Sequence, residues 1–556
     1  MFRCKRQQKT IFDHDVYLTA ERVAALDATW AGPFRRSVLS LIDEEPFRAF
    51  YCPDNGRPNV PVALLIALCI LKEMHHLTDL QMLGSLEFDL RWQHALNINV
   101  FEGDVCQKTL HNFRTLVAFN GKAREIFSTI TGKIIDQAGL ATGKQRLDST
   151  HIISNMADLS RLELFVRTIE GFLRRLAKRF PDLYGKLPAL YDKVYLERSG
   201  YFADSRSSKA RRRLAKCAAH LFDLVDRFRD HPEITQMKAY HLMARLFEEQ
   251  CGIDPVEPAQ VVLKTAGEIS ADSLQNPSDP DATYGHKGKG YKASLTETCE
   301  KENPFQVITD VALESAHASD QKDVLPVIER LDDHGCKPEE LFADAGYGSG
   351  DNILEAGEQG VRLSAPITCG KTPEPDRMRL ADFDVTPDCR TVLACVMGHP
   401  PLHCRSIGKD KVEAVFCASH CAGCEFLPYC LVKRDKRGEH RLKYNRKDMA
   451  TSRRRHEQES KSFKERYKIR SGIEATISEA DRVTGLDRAW TRGGVRVGMS
   501  LFMKALAINI KRFVGNALEE PEKTSDKPQM AGIVSYFSIS PDWEDFFPPV
   551  ALFQAA

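Results

Sequence analysis

The 556-residue sequence has no apolar run long enough to cross a bilayer. Its longest, Val60–Leu71, is twelve residues, against roughly 20 for a spanning helix. It has no excess of either charge: 78 Lys+Arg stand against 77 Asp+Glu, a formal net charge of +1. A uniformly basic coat for nucleic acid is therefore excluded, and any such surface must be local. The start, Met-Phe-Arg-Cys-Lys-Arg, offers neither an apolar leader stretch nor a cleavage site. There is no internal repeat and no low-complexity tract, which argues against a solenoid. A cytoplasmic protein without a membrane partner is expected, and its sixteen cysteines then read as thiols or metal ligands rather than disulfides. At 42% hydrophobic and 28% charged residues there is ample material for a core. About 150 residues per domain gives an expectation of three to four domains.

Residues 20–135 read as helical. Pro61–Met74 is a strongly apolar helix, Thr78 or Asp79 caps the next, and Thr109–Phe119 forms another. Helix, tight turn, helix suits docking on DNA and equally suits any small bundle. Lys144–Ile153 is short, β-branched near its end and reads as a strand. Leu159–Gln250 is helical again, and 252–283 is loop-like. Tyr291–Thr296 with Phe305–Ala312 reads as a strand pair, Asp323–His334 as a helix, Glu340–Ala345 as a strand and Val361–Pro366 as another. Ser471–Arg482 and Val495–Val514 are helical. Strands interleaved with helices give an α/β class.

Asp148 lies in Arg-Leu-Asp-Ser-Thr-His and Asp344 in Leu-Phe-Ala-Asp-Ala-Gly-Tyr-Gly, each late in an apolar strand. An ionised aspartate there is costly unless paired, hydrogen-bonded or metal-bound. Two on neighbouring strands make one anionic site of hard oxygen donors, suited to Mg²⁺ or Mn²⁺. An ordinary turn or cap aspartate remains the alternative for each. In Tyr467-Lys-Ile-Arg470-Ser-Gly-Ile-Glu474 the Tyr, Arg and Glu share a helical face within about 60°. That can place an acid beside metals and a cation beside a phosphate, or be a plain i,i+4 ion pair. Gly285-His-Lys-Gly-Lys-Gly290 lacks the spacing of a nucleotide-binding loop. It reads as a hairpin turn with Lys287 and Lys289 near a DNA backbone.

Asp148, Asp344 and Glu474, with Tyr-x2-Arg-x3-Glu on a late helix, resemble the DDE transposases of bacterial insertion sequences, in the broad IS4/IS5-like group and most closely IS1182. Gly56-Arg57-Pro58 before the apolar helix, Leu77–Trp92, Lys108–Arg114, Lys287-Gly-Lys-Gly-Tyr-Lys292 and the Cys-rich insert recur in the order of that group, over residues 45–515. One position departs from it: Asp481 stands where the family has lysine, and a cation follows at Arg482.

The resemblance implies an RNase H-like catalytic core and sets the expected organisation. A helical N-terminal domain that binds DNA ends spans 1–138, and the core spans 139–515. Within the core fall a helical insertion (157–275), a Cys-rich, zinc-ribbon-like insertion (367–432) and a basic segment (433–470); 516–556 is a tail. It also implies a DNA transposase that cuts at element ends and transfers strands into target DNA, a catalytically inactive DNA-binding descendant being the alternative. The implied catalytic and Mg²⁺-binding residues are Asp148, Asp344 and Glu474, with two Mg²⁺ (or Mn²⁺) for in-line displacement. Tyr467, Arg470, Arg482, Lys287, Lys289 and Lys292 are the expected DNA contacts, and the partners are double-stranded DNA and a second copy of the chain.

Seven cysteines fall between 389 and 430, including Cys421-Ala-Gly-Cys424. Such a knot suits structural Zn²⁺. Cys395 resembles the single leading cysteine of the family, so the resemblance implies Cys395, Cys421, Cys424 and Cys430 as the first ligand set, with Cys417, Cys404, His399, His403 and His420 as alternates. Leu431–Arg470 carries sixteen Lys+Arg against six Asp+Glu, a one-signed density that suits phosphate contact. Arg206–Lys216 is a weaker second candidate.

Overall fold

The computed structural model describes residues 2–5, 13–53, 55–99, 101–197, 207–254, 257, 260–368, 377–408 and 410–519. The expected tail lies outside the described residues from 520 onward, as does Arg206.

The N-terminal part is helical, as expected. Its main helices are α1 (Val62–Met74), α2 (Asp79–Phe88), α3 (Gln107–Phe119) and α4 (Lys122–Ala138). Every side chain of α1 from Val62 to Lys72 is buried, the fate of a helix that is apolar all round. Thr78 starts α2 with a capping box. Its hydroxyl accepts from the Gln81 N–H at 3.3 Å, and Gln81 Oε1 accepts from the Thr78 N–H at 2.9 Å.

Strand β1 (Lys144–Ile153) follows, then a helical insert with α5 (Arg161–Arg179), α6 (Ser207–Phe228) and α7 (Lys238–Gln250). The insert buries its own cluster, including Phe165, Phe172, Leu221, Leu224, Met243 and Leu246. The stretch expected as loop contains a small hairpin, Cys251–Ile253 against Val261–Leu263. Each arm is only three residues long, too short for the alternation that marks a strand.

The chain then builds β2 (Gly288–Thr298), β3 (Ile308–Ser315), α8 (Val324–Asp333), β4 (Glu340–Ala343), α9 (Gly350–Glu358) and β5 (Arg362–Ser364). The sheet order is β3-β2-β1-β4-β5, and the short strand Thr283–Gly285 pairs with the start of β2. β2 runs antiparallel to both β1 and β3, while β4 is parallel to β1 and β5 to β4. The Cys-rich insert and the start of the basic segment fold together as a second sheet of β6 (His403–Ser406), β7 (Lys411–Phe416), β8 (Lys433–Arg434) and β9 (His440–Asn445), in the order β6-β7-β9-β8. Helices α10 (Arg446–Glu457), α11 (Lys461–Tyr467), α12 (Gly472–Thr484) and α13 (Gly494–Glu519) end the described chain.

The main sheet is covered on both faces. Alternation along β1 sends Ile152 to one side and Leu147 to the other. On the Ile152 side, one cluster joins the N-terminal helices to Ala293, Leu295, Val311 and the α13 residues Leu506, Ile508 and Ile510. On the Leu147 side, Val327, Ile328 and Leu331 of α8 pack with Leu341, Ala343 and Ala356. Among the described residues no helix is long and apolar enough to cross a membrane.

The sequence pattern placed Tyr467, Arg470 and Glu474 on one continuous helical face. Instead the chain passes from α11 through a 3₁₀ turn, Lys468–Ser471, into α12. The Arg146 side chain packs against this turn. It donates to the Ile469 carbonyl at 3.0 Å, and a Cβ at Gly472 would run into its guanidinium.

Candidate active site

Strand register brings the first two acids together. Leu147 of β1 lies opposite Ala343 of β4, so Asp148 and Asp344 are the next residues on adjoining parallel strands, whose axes run about 4.8 Å apart. The Asp148 side chain is 14% exposed, and its Oδ1 accepts the Ser149 N–H at 2.8 Å. Burial raises its pKa above the usual carboxylate value. Arg470 and the Ser149 N–H pull it down, while Asp344 and Asp320 push it up. Asp344 stands one residue past the end of β4, with Oδ1 accepting the Gly346 N–H at 2.7 Å. Glu474 lies in the first turn of α12 and is exposed.

Arg470 joins all three. Its guanidinium lies 2.7 Å from Asp148 Oδ2, 2.9 Å from Glu474 Oε1 and 4.0 Å from Asp344 Oδ2. The acids thus converge on a cation rather than on one another. Among the described residues no three His, Cys, Asp or Glu side chains are already gathered to hold a metal. The donor set nevertheless fits hard divalent ions: three carboxylates from three elements surround a positive charge supplied by the chain itself.

Tyr467 holds the turn in place. Its hydroxyl donates to the Ala343 carbonyl at 3.0 Å, next to Asp344, and burial pushes its phenol up to about 12. Arg482 is exposed on α12, while Asp481 has one buried carboxylate oxygen without a hydrogen bond. Of the three lysines expected at DNA, Lys287 is exposed. Lys289 is paired with Asp158 at 2.5 Å. Lys292 is buried and corrects the expectation of a DNA contact: its ammonium bonds Asp323 at 2.7 Å, Glu314 at 2.9 Å and Asp320 at 3.0 Å. Lys292 belongs to a strand buried along most of its length, so a basic motif there turns its last cation into the protein.

The sequence reading passed over Asp320. Its Oδ1 accepts from Ser149 Oγ at 3.1 Å as well as from Lys292. In Ser-Asp-Gln-Lys-Asp before a helix it looks like a cap, and nothing local marks it as part of the site.

The basic segment is largely consumed by internal pairs. Arg441 bonds Glu413, Asp435 and Glu439; Arg446 bonds Glu358; Arg466 bonds Glu340 and Glu457; Arg454 is buried. Lys433, Arg434, Lys436 and Arg437 remain exposed around the β8–β9 turn.

In the Cys-rich insert, Cys395, Cys421, Cys424 and Cys430 line one small cavity of about 30 Å³, together with Cys417, His399 and His420. Cys404 and His403 are not among its walls. The two histidine rings stack with centroids 4.4 Å apart. No disulfide links the described cysteines. Burial, and then the neighbouring cysteines, push the Cys421 thiol up to about 11.

Two family models match the chain. One, described as Transposase DDE domain, covers residues 396–514 and so includes Arg470 and Glu474. The other, described as Transposase domain (DUF772), covers residues 26–116, with α1 and α2. Both matched stretches are thus transposase domains, the C-terminal one of the DDE kind. No curated protein and no solved structure matches it. Asp148 and Asp344 lie outside both matched ranges, and their place beside Arg470 is what ties them to Glu474.

Proposed function

We propose that this transposase cuts DNA at the ends of an IS1182-like insertion sequence and transfers the cut strand into target DNA. The observation that carries the reading is the single guanidinium of Arg470 within 4.0 Å of Asp148, Asp344 and Glu474. The main sheet, with three antiparallel strands followed by two parallel ones in the order β3-β2-β1-β4-β5, supports an RNase H-like core with the acids on β1, after β4 and on α12.

Asp148, Asp344 and Glu474 would hold the divalent ions. When bound, such ions supply an activated water and neutralise charge at the leaving oxygen. The chain's own residues prepare the site. The N–H groups of Ser149 and Gly346 fix one oxygen each of Asp148 and Asp344, leaving the other to face Arg470. Arg470 balances the acids' repulsion, and its planar fork is matched to a DNA phosphate. Tyr467 anchors the turn that carries it. Lys287 and Arg482 are the exposed cations of the expected set and line the approach for DNA, with Lys433, Arg434, Lys436 and Arg437 as a second patch. In the Cys-rich insert, Cys395, Cys421, Cys424 and Cys430 would hold a structural Zn²⁺, and two copies of the chain would hold two ends.

The test is Mg²⁺-dependent nicking of a plasmid carrying the element's terminal repeats, followed by joining to a second plasmid. Asp148→Ala is expected to lower both on the order of 10³-fold while duplex binding persists. Nicking by Asp148→Ala at the wild-type rate would sink the assignment.

A further inference from the structure

Asp320 stands in the loop between β3 and α8, and no feature of the three-acid reading requires it. One of its oxygens is committed: Oδ1 takes hydrogen bonds from Lys292 Nζ at 3.0 Å and Ser149 Oγ at 3.1 Å. Lys292 is itself fixed by Asp323 and Glu314, so the carboxylate is held rigidly. The other oxygen lies beside Gly346, two residues from Asp344. A Cβ built on Gly346 would lie 3.2 Å from Asp320 Oδ2 and 2.9 Å from Asp344 Oδ1. Oxygens of two acids from different loops therefore flank one point, which a glycine leaves open. That glycine is not in the left-handed region, so conformational freedom does not explain it.

A second observation points to a ligand in the same place. Tyr347 is fully buried, and its hydroxyl has no hydrogen-bond partner. Ser149 is its nearest polar neighbour, without good hydrogen-bond geometry, and donates its own proton to Asp320; the charges of Asp320, Asp148 and Asp323 act on it from further away. Leaving a buried hydroxyl without a partner is costly. Such a group persists where it serves a site.

We propose that Asp320 is a fourth carboxylate of the divalent-cation site, with Oδ2 as the donor and with Lys292 and Ser149 as the residues that position it. The inference rests on the metal-dependent reading of Asp148, Asp344 and Glu474 and adds to it a ligand group on the Asp344 side. It also gives Lys292 a role that its burial allows.

The test is Mn²⁺ binding to the full chain without DNA, read from the loss of the free-ion electron paramagnetic resonance signal. Wild type is expected to bind, and Asp148→Asn to bind far more weakly. Asp320→Asn is expected to lower affinity about tenfold or more, with Asp320→Glu recovering part of it. Gly346→Ala, which puts a methyl group between the two oxygens, should lower affinity to a similar degree. Wild-type affinity in Asp320→Asn beside a clear loss in Asp148→Asn overturns the role of Asp320 alone. No Mn²⁺ bound by the wild type at millimolar concentration overturns the three-acid reading and this one with it. Should Asp320→Asn fail to fold, Gly346→Ala decides: affinity equal to wild type there overturns the proposal.

Discussion

Asp148 and Glu474 are more than 300 residues apart in sequence and meet only when β1, β4 and α12 are all in place. Cys395 to Cys430 span a single insert and share a cavity built from that insert's own strands and turns. The two groups also settle their charge differently. The carboxylates keep an internal cation, Arg470, at 2.7–4.0 Å. The thiols lie in an apolar pocket with Phe383, Phe416 and Val432, where burial keeps Cys421 protonated. Like charges forced together by long-range folding need a counter-ion from the start. Ligands that can hold their own protons do not.

Removing the counter-ion gives the largest expected effect. Arg470→Gln leaves Asp148, 14% exposed, beside Asp344 and Asp320 without its cation. We expect a loss of about 3 kcal/mol of stability, much of it restored by millimolar Mg²⁺, in a thermal melt where Mg²⁺ moves the wild type less. Equal Mg²⁺ shifts in the two proteins would erase the contrast. The cysteine pocket should respond through protons instead. With Cys421 at about 11, the thiol is neutral at pH 7 and must lose its proton to bind metal. Zn²⁺ added to metal-stripped protein should therefore release protons, and affinity should rise with pH, checked by calorimetry in buffers of different ionisation enthalpy. Zn²⁺ binding without proton release would show that the thiols are already ionised. The smallest change is expected from His399→Ala, which removes one of the stacked rings but none of the four chosen ligands. Zinc stoichiometry by metal analysis should stay the same, and its loss would move His399 into the ligand set.

The two groups were also unequally legible in the sequence. Asp148 and Asp344 stood out because an acid at the end of an apolar strand is conspicuous, and the order of motifs linked them to Glu474. The cysteines announced themselves by density and one CxxC pair, and the pocket walls separate Cys417, His399 and His420, which share the cavity, from Cys404 and His403, which do not. Asp320 was invisible because its partners, Ser149 and Lys292, come from other strands, and no local pattern encodes a contact across a sheet. Lys292 misled for the opposite reason: composition reports charge, whereas strand burial decides which way it faces. The expected helix from Ser471 was found as α12, but the turn before it tightens to 3₁₀ over Lys468–Ser471, where Arg146, more than 300 residues earlier, bonds the Ile469 carbonyl. Element positions were read well where periodicity is local, as in α1, α3, β1 and α13.

The helical insert between β1 and β2 has its own buried cluster. During synthesis β1 leaves the ribosome well over a hundred residues before β2. At about 5–20 residues per second, the strand bearing Asp148 waits on the order of ten seconds with both backbone edges bare. A self-sufficient helical module that folds in that interval keeps a nascent chain occupied with its own contacts. It also shortens the effective tether across which β1 must later find its neighbours.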